Sequence, residues 1–298
     1  ATGSASDFRK SYAGGICGYA DASCVFIKCR NTGSIGCKSD VSGWGYTGPD
    51  GTGGISGYGG THIMCSNSGE ISGGGSTGGV TGNGTAIGCW NTGKVEASYN
   101  RTVGNTVETV AAGIGGVVGS GKAENCYNKG YVNGNWPGIG GVVGKGIVNN
   151  SYNTGAVTTT YDGDYAQAVG MLLGVIDGKD EMTNLFYVRM GEGNAIGYVG
   201  NRNINPEGSP ISESDLRDSE VLEALMSYTS ATLQKAEWMA DLNGSNEGYP
   251  VIIDYSVSKS AEKKITSAKF GARLGTIDEE NSTIDFTVNY GTDISSVA

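Results

Sequence analysis

Proline is scarce, at 5 of 298 residues, phenylalanine is as rare, and histidine occurs once, as His62. A single histidine excludes the paired-histidine helix of a zinc peptidase, and any Ser or Cys triad would have to be built on His62 alone. His62 lies in the stretch THIMC and reads as a surface or loop residue. Charged residues make up only 17% of the chain and form no basic stripe, so nucleic acid is excluded as a partner. There is no run of about 20 apolar residues to insert into a membrane. The phosphate-loop pattern GxxxxGK[ST] and a CxxC pair are also missing, and between Ala13 and Val157 no long i, i+3, i+4 pattern supports helices.

Glycine is plentiful, with 53 residues and no strict Gly-x-y period, which excludes collagen. The glycines fall into two alternating phrases. The first reads GGICG from Gly14, GGISG from Gly53, GGVTG from Gly78, GGVVG from Gly115 and Gly140, and a worn GMLLG from Gly170. The second reads CRNTGSI from Cys29, CSNSGEI from Cys65, CWNTGKV from Cys89, CYNKGYV from Cys126 and SYNTGAV from Ser151. Its asparagines, Asn31, Asn67, Asn91, Asn128 and Asn153, are 36, 24, 37 and 25 residues apart. A period in this range argues for a solenoid, propeller or array. The extra residues always fall in one gap, Gly36 to Thr52, Glu96 to Ala112 and Thr158 to Gln167, which maps them to one corner of the repeat.

Each phrase has two or three apolar positions between turn residues, the signature of short strands. Alternation turns Ile16, Ile55, Val80, Val117 and Val142 inward, and likewise Cys29, Cys65, Cys89 and Cys126. The residue after each cysteine position, including Trp90, Tyr127 and Tyr152, points outward. The asparagine turns inward at a corner, and the glycine two further on suits a left-handed turn. Coils stacked about 4.8 Å apart bring like residues into columns, here an asparagine ladder and a cysteine stack. The expected fold is all-β: a parallel β-helix-like solenoid of 25- to 37-residue coils, since a propeller blade needs about 40 residues in four strands.

The two phrases resemble the GLUG repeats of bacterial cell-surface and secreted proteins, many from gut anaerobes. The resemblance covers roughly residues 13 to 200, and NLFYVRMGEGNAIGYVG followed by WMADLNGSNEGYPVI resembles the segment that closes such repeats. It implies an extracellular module but no activity, because these repeats accompany adhesins, proteases and carbohydrate-active enzymes alike. Three regions are expected: the solenoid over 1–200, a C-terminal α/β cap over 201–255, and a linker with the first strands of a truncated immunoglobulin-like module over 256–298. The cap holds a helical stretch within Ser212 to Met226 and a closing strand at Val251 to Tyr255, and its expected task is to cover the open solenoid end. Beyond it, KITSAKF and STIDFTVNYGTDIS read as two strands. Residues 1–160 carry 10 basic and 8 acidic side chains and residues 161–298 carry 10 and 22, so the negative charge lies in the C-terminal half. The start at ATGSAS without an initiator Met, and the end in mid-pattern, suit a segment of a larger protein.

Four cysteines share one repeat position where Ser151 also stands, so they read as free thiols acting as small apolar fillers, while Cys17, Cys24 and Cys37 leave a bridge open. No metal site or cofactor is expected, with Asp162 and Asp164 of YDGDY as weak calcium candidates. No acid and base pair is legible, so the chain reads as non-catalytic. Trp90, Tyr127 and Tyr152, with Trp44 and Trp136 nearby, form a candidate ligand-binding aromatic column, although rings that merely shield the sheet are the preferred alternative. Three functions follow in order of preference. The first is a rigid spacer or adhesin-type interaction module, meeting host surface proteins and neighbouring domains of its own chain. The second is a carbohydrate-binding accessory module for host or dietary glycans, within a glycan-degrading enzyme or a protease. A solenoid polysaccharide lyase or hydrolase comes last.

Overall fold

The structure, a computed structural model, describes residues 11–37, 49–98, 113–135, 137–160, 168–178, 181–189, 193–199, 208–228 and 236–254. It also describes the short strands at 269–270, 273–274, 276–278 and 283–285. Trp44, Trp136, Asp162 and Asp164 lie outside the described residues, as does the stretch 256–262, which opens the expected linker. By contacts the chain divides into Ala1–Asp254 and Tyr255–Ala298.

The first unit is built on a parallel β-solenoid whose coils pass through four faces in turn. Face A holds Ser11–Gly14, Pro49–Gly53, Ser76–Gly78, Ile114–Gly115, Ile139–Gly140 and Val169–Gly170. Face B holds Cys17–Tyr19 with Val25–Ile27, then Ser56–Ile63, Thr81–Ile87, Val118–Glu124, Val143–Asn149, Leu173–Ile176 and Ile196–Tyr198. Face C holds Arg30–Asn31, Ser66–Asn67, Trp90–Asn91, Tyr127–Asn128, Ser151–Asn153, Leu185–Val188 and Ser209–Ile211. Face D holds Ile35–Gly36, Ile71–Gly73, Val95–Ala97, Val132–Gly134 and Val157–Thr159. The long insertions all leave after face D and return at face A. The stacking passes residue 200, because Ser209–Ile211 continues face C beside Leu185–Val188.

The repeat glycines let the two phrases interlock. A Cβ on Gly54 would stand 2.7 Å from Asn67 Oδ1, and one on Gly79 2.5 Å from Asn91 Cγ, so the second glycine of each pair is the gap into which the ladder amide fits. The ladder itself is closed. Asn31, Asn67, Asn91 and Asn128 each donate through Nδ2 to the Oδ1 of the next asparagine at 2.7–2.8 Å. Each Nδ2 also donates to the carbonyl of the glycine two residues on, whose N–H returns to the same Oδ1. Buried amides in this arrangement leave no group unpaired, which a buried polar column requires. The column ends at Asn153, whose partner in the next coil is the buried Tyr187.

One corner expectation needs correction. Gly33, Gly69, Gly93, Gly130 and Gly155 do not take the left-handed region. From Gly69 onward they are glycine because the carbonyl of the matching glycine in the preceding coil leaves no room for a Cβ, as at Gly69 against Gly33 and at Gly130 against Gly93, whereas Gly33 has no such neighbour. The left-handed residues instead stand just before the cysteine position: Lys28, Met64, Gly88, Asn125, Asn150 and Asn184, with φ between 45° and 62°. Asparagine tolerates this region better than most residues with a side chain.

Inside, Ile55, Val80, Val117 and Val142 are fully buried beside the column Ile71, Val95 and Val132. Ile16, expected inward, is 54% exposed, because the first described coil has a neighbour on one side only. Cys65, Cys89 and Cys126 are buried and Cys29 partly so. They do more than fill space. The N–H of Cys65 donates to Cys89 Sγ at 3.3 Å, that of Cys89 to Cys126 Sγ at 3.4 Å, and that of Cys126 to Ser151 Oγ at 3.0 Å. Serine can follow cysteine here because its oxygen takes over the same buried N–H. All seven cysteines are free, including Cys17, Cys24 and Cys37.

The C-terminal part of this unit does not cover an end. A 3-10 turn, Asp215–Arg217, the helix Ser219–Ser227 and the antiparallel pair Ala236–Met239 and Val251–Asp254 lie along the outer side of face C as a lateral clamp. Among its described residues the second unit contains two short antiparallel pairs, Lys269–Phe270 with Arg273–Leu274 and Thr276–Asp278 with Thr283–Asp285; the rest of KITSAKF and STIDFTVNYGTDIS lies outside the described residues.

Candidate functional site

The outward column of face C decides where a site can be. In register it runs Arg30, Ser66, Trp90, Tyr127, Tyr152 and Phe186. Trp90 stacks on Tyr127 with ring centroids 5.9 Å apart and planes within 8°, and Tyr127 stacks on Tyr152 at 5.0 Å and 5°. The column exists, but most of it is not exposed. Tyr127 and Tyr152 are buried, while Trp90 and Phe186 are half-open and Arg30 is exposed.

The clamp is what covers them. Trp238 leans on both tyrosine rings, at 6.2 Å and 5.6 Å, and Tyr249 packs on Tyr152 at 6.5 Å. The Tyr152 hydroxyl donates to the Pro250 carbonyl at 2.8 Å and accepts from Asn246 Nδ2 at 2.8 Å. Burial pushes both phenols above their ordinary range, so they are neutral hydrogen-bonding groups. The left-handed asparagines anchor the rest. Asn150 donates to Asn125, and Asn184 to Asn150 at 2.9 Å. Asn150 and Asn184 also donate to the Leu225 and Ala224 carbonyls near the helix C-terminus, both at 2.8 Å, while Trp238 Nε1 donates to Asn125 Oδ1 at 3.0 Å. These bonds satisfy carbonyls that a helix end leaves open. Arg217 lies over the Tyr249 ring at 4.3 Å and donates to its hydroxyl, and Lys129 pairs with Glu247 at 2.9 Å.

Where the clamp hairpin passes the first coils, a cleft of about 540 Å³ remains. Its floor is Ser66 with Arg30 and Trp90 on either side, Ser68 and Thr92 line one flank, and the loop through Asp241 and Asn243 forms the other. Asp241 is not free to bind. Burial raises its carboxyl pKa, but N–H bonds from Gly248, Asn246 and Ser245 outweigh this and hold it below the usual value. The polar groups around the Trp90 ring therefore come from two segments about 150 residues apart in the chain. Sequence reasoning found Trp90 but not Ser66, Arg30 or Asn243, because only the folded clamp brings the last of these to face C.

His62, expected at the surface, is fully buried in face B. Its row is Phe26, His62, Ala86, Ala123 and Val148, the interior position three residues before each cysteine position, and counting back from the cysteines would have placed it there. Nδ1 donates to the Thr85 carbonyl at 3.1 Å, Ser56 Oγ lies 2.8 Å from Nε2 and 2.9 Å from Thr81 Oγ1, and the ring stacks on Phe26 at 4.8 Å. This is a Ser–His pair without access for a substrate. The pair also lacks a carboxylate partner, since the orienting group is a carbonyl. Among the described residues no group of three or more potential metal ligands occurs.

Burial lowers the His62 pKa from 6.5 to about 4, with the Thr85 carbonyl pulling the other way. Below pH 6.5 the unfolded chain binds a proton that the folded chain refuses, so stability is full above that pH and falls as pH drops toward 4. The drop from 6.5 to about 4 corresponds to a loss of roughly 3 kcal/mol across that window. Urea midpoints measured from pH 7 to pH 4 are expected to show this slope, and His62→Gln to flatten it. An unchanged slope in the variant would assign it to carboxylates instead.

No helix among the described residues is long and apolar enough to cross a membrane. No protein-family model and no curated protein matches the chain. A crystal structure of a Bacteroides ovatus protein provisionally described as an immunoglobulin A1 protease is similar to it at 18% identity and a TM-score of 0.48, over 81% of this chain and 74% of that chain. A likeness this distant carries no argument about activity.

Proposed function

We propose that the chain is a GLUG-type repeat module of a bacterial surface or secreted protein, non-catalytic in itself, serving as a stiff spacer and interaction domain. One observation carries this reading: the asparagine ladder bonds five successive coils to each other with every amide satisfied, so the interior is committed to stiffness rather than to chemistry. Two further features support it. The thiol column is engaged with backbone groups, and the Ser56–His62 pair is sealed inside face B. Extracellular placement rests on the repeat resemblance alone, and the reading of residues 256–298 as the start of an immunoglobulin-like module rests on the strand-like alternation of KITSAKF and STIDFTVNYGTDIS. A second reading, a carbohydrate-binding accessory module, is favoured by the cleft beside Trp90. Incubated with protein and polysaccharide substrates, the chain is expected to release no product. Turnover that His62→Gln or Ser56→Ala abolishes would overturn the non-catalytic reading.

A further inference from the structure

The outward column of face C carries rings in four consecutive coils, Trp90, Tyr127, Tyr152 and Phe186, and then stops at Ser66. In-register coils are about 4.8 Å apart, close to the distance at which flat rings stack. Ser66 is small and only 6% exposed, and it lines the cleft together with its neighbours in register, Arg30 and Trp90. One face of Trp90 is held against Tyr127, and the ring is half-open. The result is a break in the ring stack, at which the cleft is lined by a half-open indole and an exposed guanidinium.

The geometry points to a saccharide-binding site in this cleft, which takes one pyranose ring of a glycan against Trp90. A sugar ring has a C–H face that suits the negative face of an indole and a rim of hydroxyls that both donate and accept. The rim of the cleft answers those hydroxyls: Ser68 and Thr92 offer hydroxyl groups, Asn243 a carboxamide, and Arg30 a guanidinium. Ser68, Thr92, Asn243 and Arg30 are all exposed. A plain aromatic ring would leave this polar rim unanswered. The cleft volume of 540 Å³ lies within the roughly 300–1,000 Å³ of small-ligand sites. Trp90 is also held in place before any ligand arrives, because Tyr127, Tyr152 and Trp238 back it from behind, which limits the ordering cost of binding.

The inference goes beyond the spacer reading and stands or falls separately from it. The test uses the whole chain on an array of neutral and acidic oligosaccharides, with hits titrated by NMR on the indole N–H of Trp90, assigned through Trp90→Phe. At least one oligosaccharide is expected to bind and to move that signal. Trp90→Ala is expected to weaken binding on the order of tenfold, the value of one good aromatic contact. Because Trp90→Ala removes packing as well, Ser68→Trp is the deciding variant. Ser68 is an exposed part of the cleft lining, so a ring there occupies the cleft without entering the core, and binding is expected to vanish while the melting temperature holds. An array without a hit, a ligand that still binds Ser68→Trp, or a signal moved only by peptides would overturn the site. Each of those results leaves the turnover test of the spacer reading untouched.

Discussion

Replacing Asn91 by leucine is expected to cost the solenoid at least about 3 kcal/mol, taking the lower bound of about 1 kcal/mol for each buried polar group left unpaired. Three such groups depend on it. One N–H of Asn67 Nδ2 loses its acceptor, and the N–H and carbonyl of Gly93 lose both ends of the corner clasp, while Asn128 Oδ1 keeps the Gly130 N–H. Leucine matches the volume closely enough to enter the column but satisfies none of them, and water cannot replace it at a position with no exposed surface. Lys94, three residues on, is the control. Its ammonium pairs with Glu96 at 2.7 Å and Glu70 at 3.7 Å, but all three side chains are substantially exposed, so Lys94→Ala is expected to leave stability nearly unchanged. Urea midpoints compare the two directly. Amide exchange in the coils flanking Asn91 adds a local reading, since stacked repeats need not unfold as one unit. Equal midpoints for the two variants would show that the ladder is ornament rather than structure.

Adding one methyl group at Gly116 is expected to be comparably damaging, above about 3 kcal/mol, the upper end for overpacking in a core that can shift. Here it cannot shift. The new Cβ would lie 2.6 Å from Asn128 Oδ1, and closer still to the Gly141 carbonyl. The first neighbour is fixed by the ladder and the second is backbone, so relief requires separating two coils. Gly36→Ala is the matched control on face D, where nothing lies within 4 Å of the added carbon. It is expected to leave stability unchanged or to raise it by up to about 1 kcal/mol, because alanine restricts the unfolded chain. The sign of the difference between two Gly→Ala changes in strands thus reads out whether coil spacing is set by glycine at the ladder. Comparable melting temperatures for both variants would refute the interlock between the two phrases.

Much of this architecture is local, and for that reason the sequence determines it alone. The repeat spacing, the alternation within each phrase and the three insertions at one gap are enough to stack the coils. They also place Asn31, Asn67, Asn91, Asn128 and Asn153 in one column and Cys29, Cys65, Cys89 and Cys126 in another. Even His62 was within reach, because its distance from Cys65 equals that of Ala86 from Cys89. The local conformations were less legible. A glycine before a crowded carbonyl and a glycine in the left-handed region look the same in a sequence, and only the coordinates show that the left-handed corner belongs to Met64, Asn125 and Asn150. What the tertiary structure decided is the fate of the outward face. Alternation tells which side chains leave the coil but not what covers them. The clamp segment, about 100 residues downstream of the tyrosines, lies along face C instead of across an end, since Tyr127 and Tyr152 offer it apolar rings and Asn125, Asn150 and Asn184 offer it hydrogen bonds. That docking buries two members of the aromatic column and leaves the third, Trp90, at the edge of a cleft, because non-local packing rather than strand period determines which outward residues meet water.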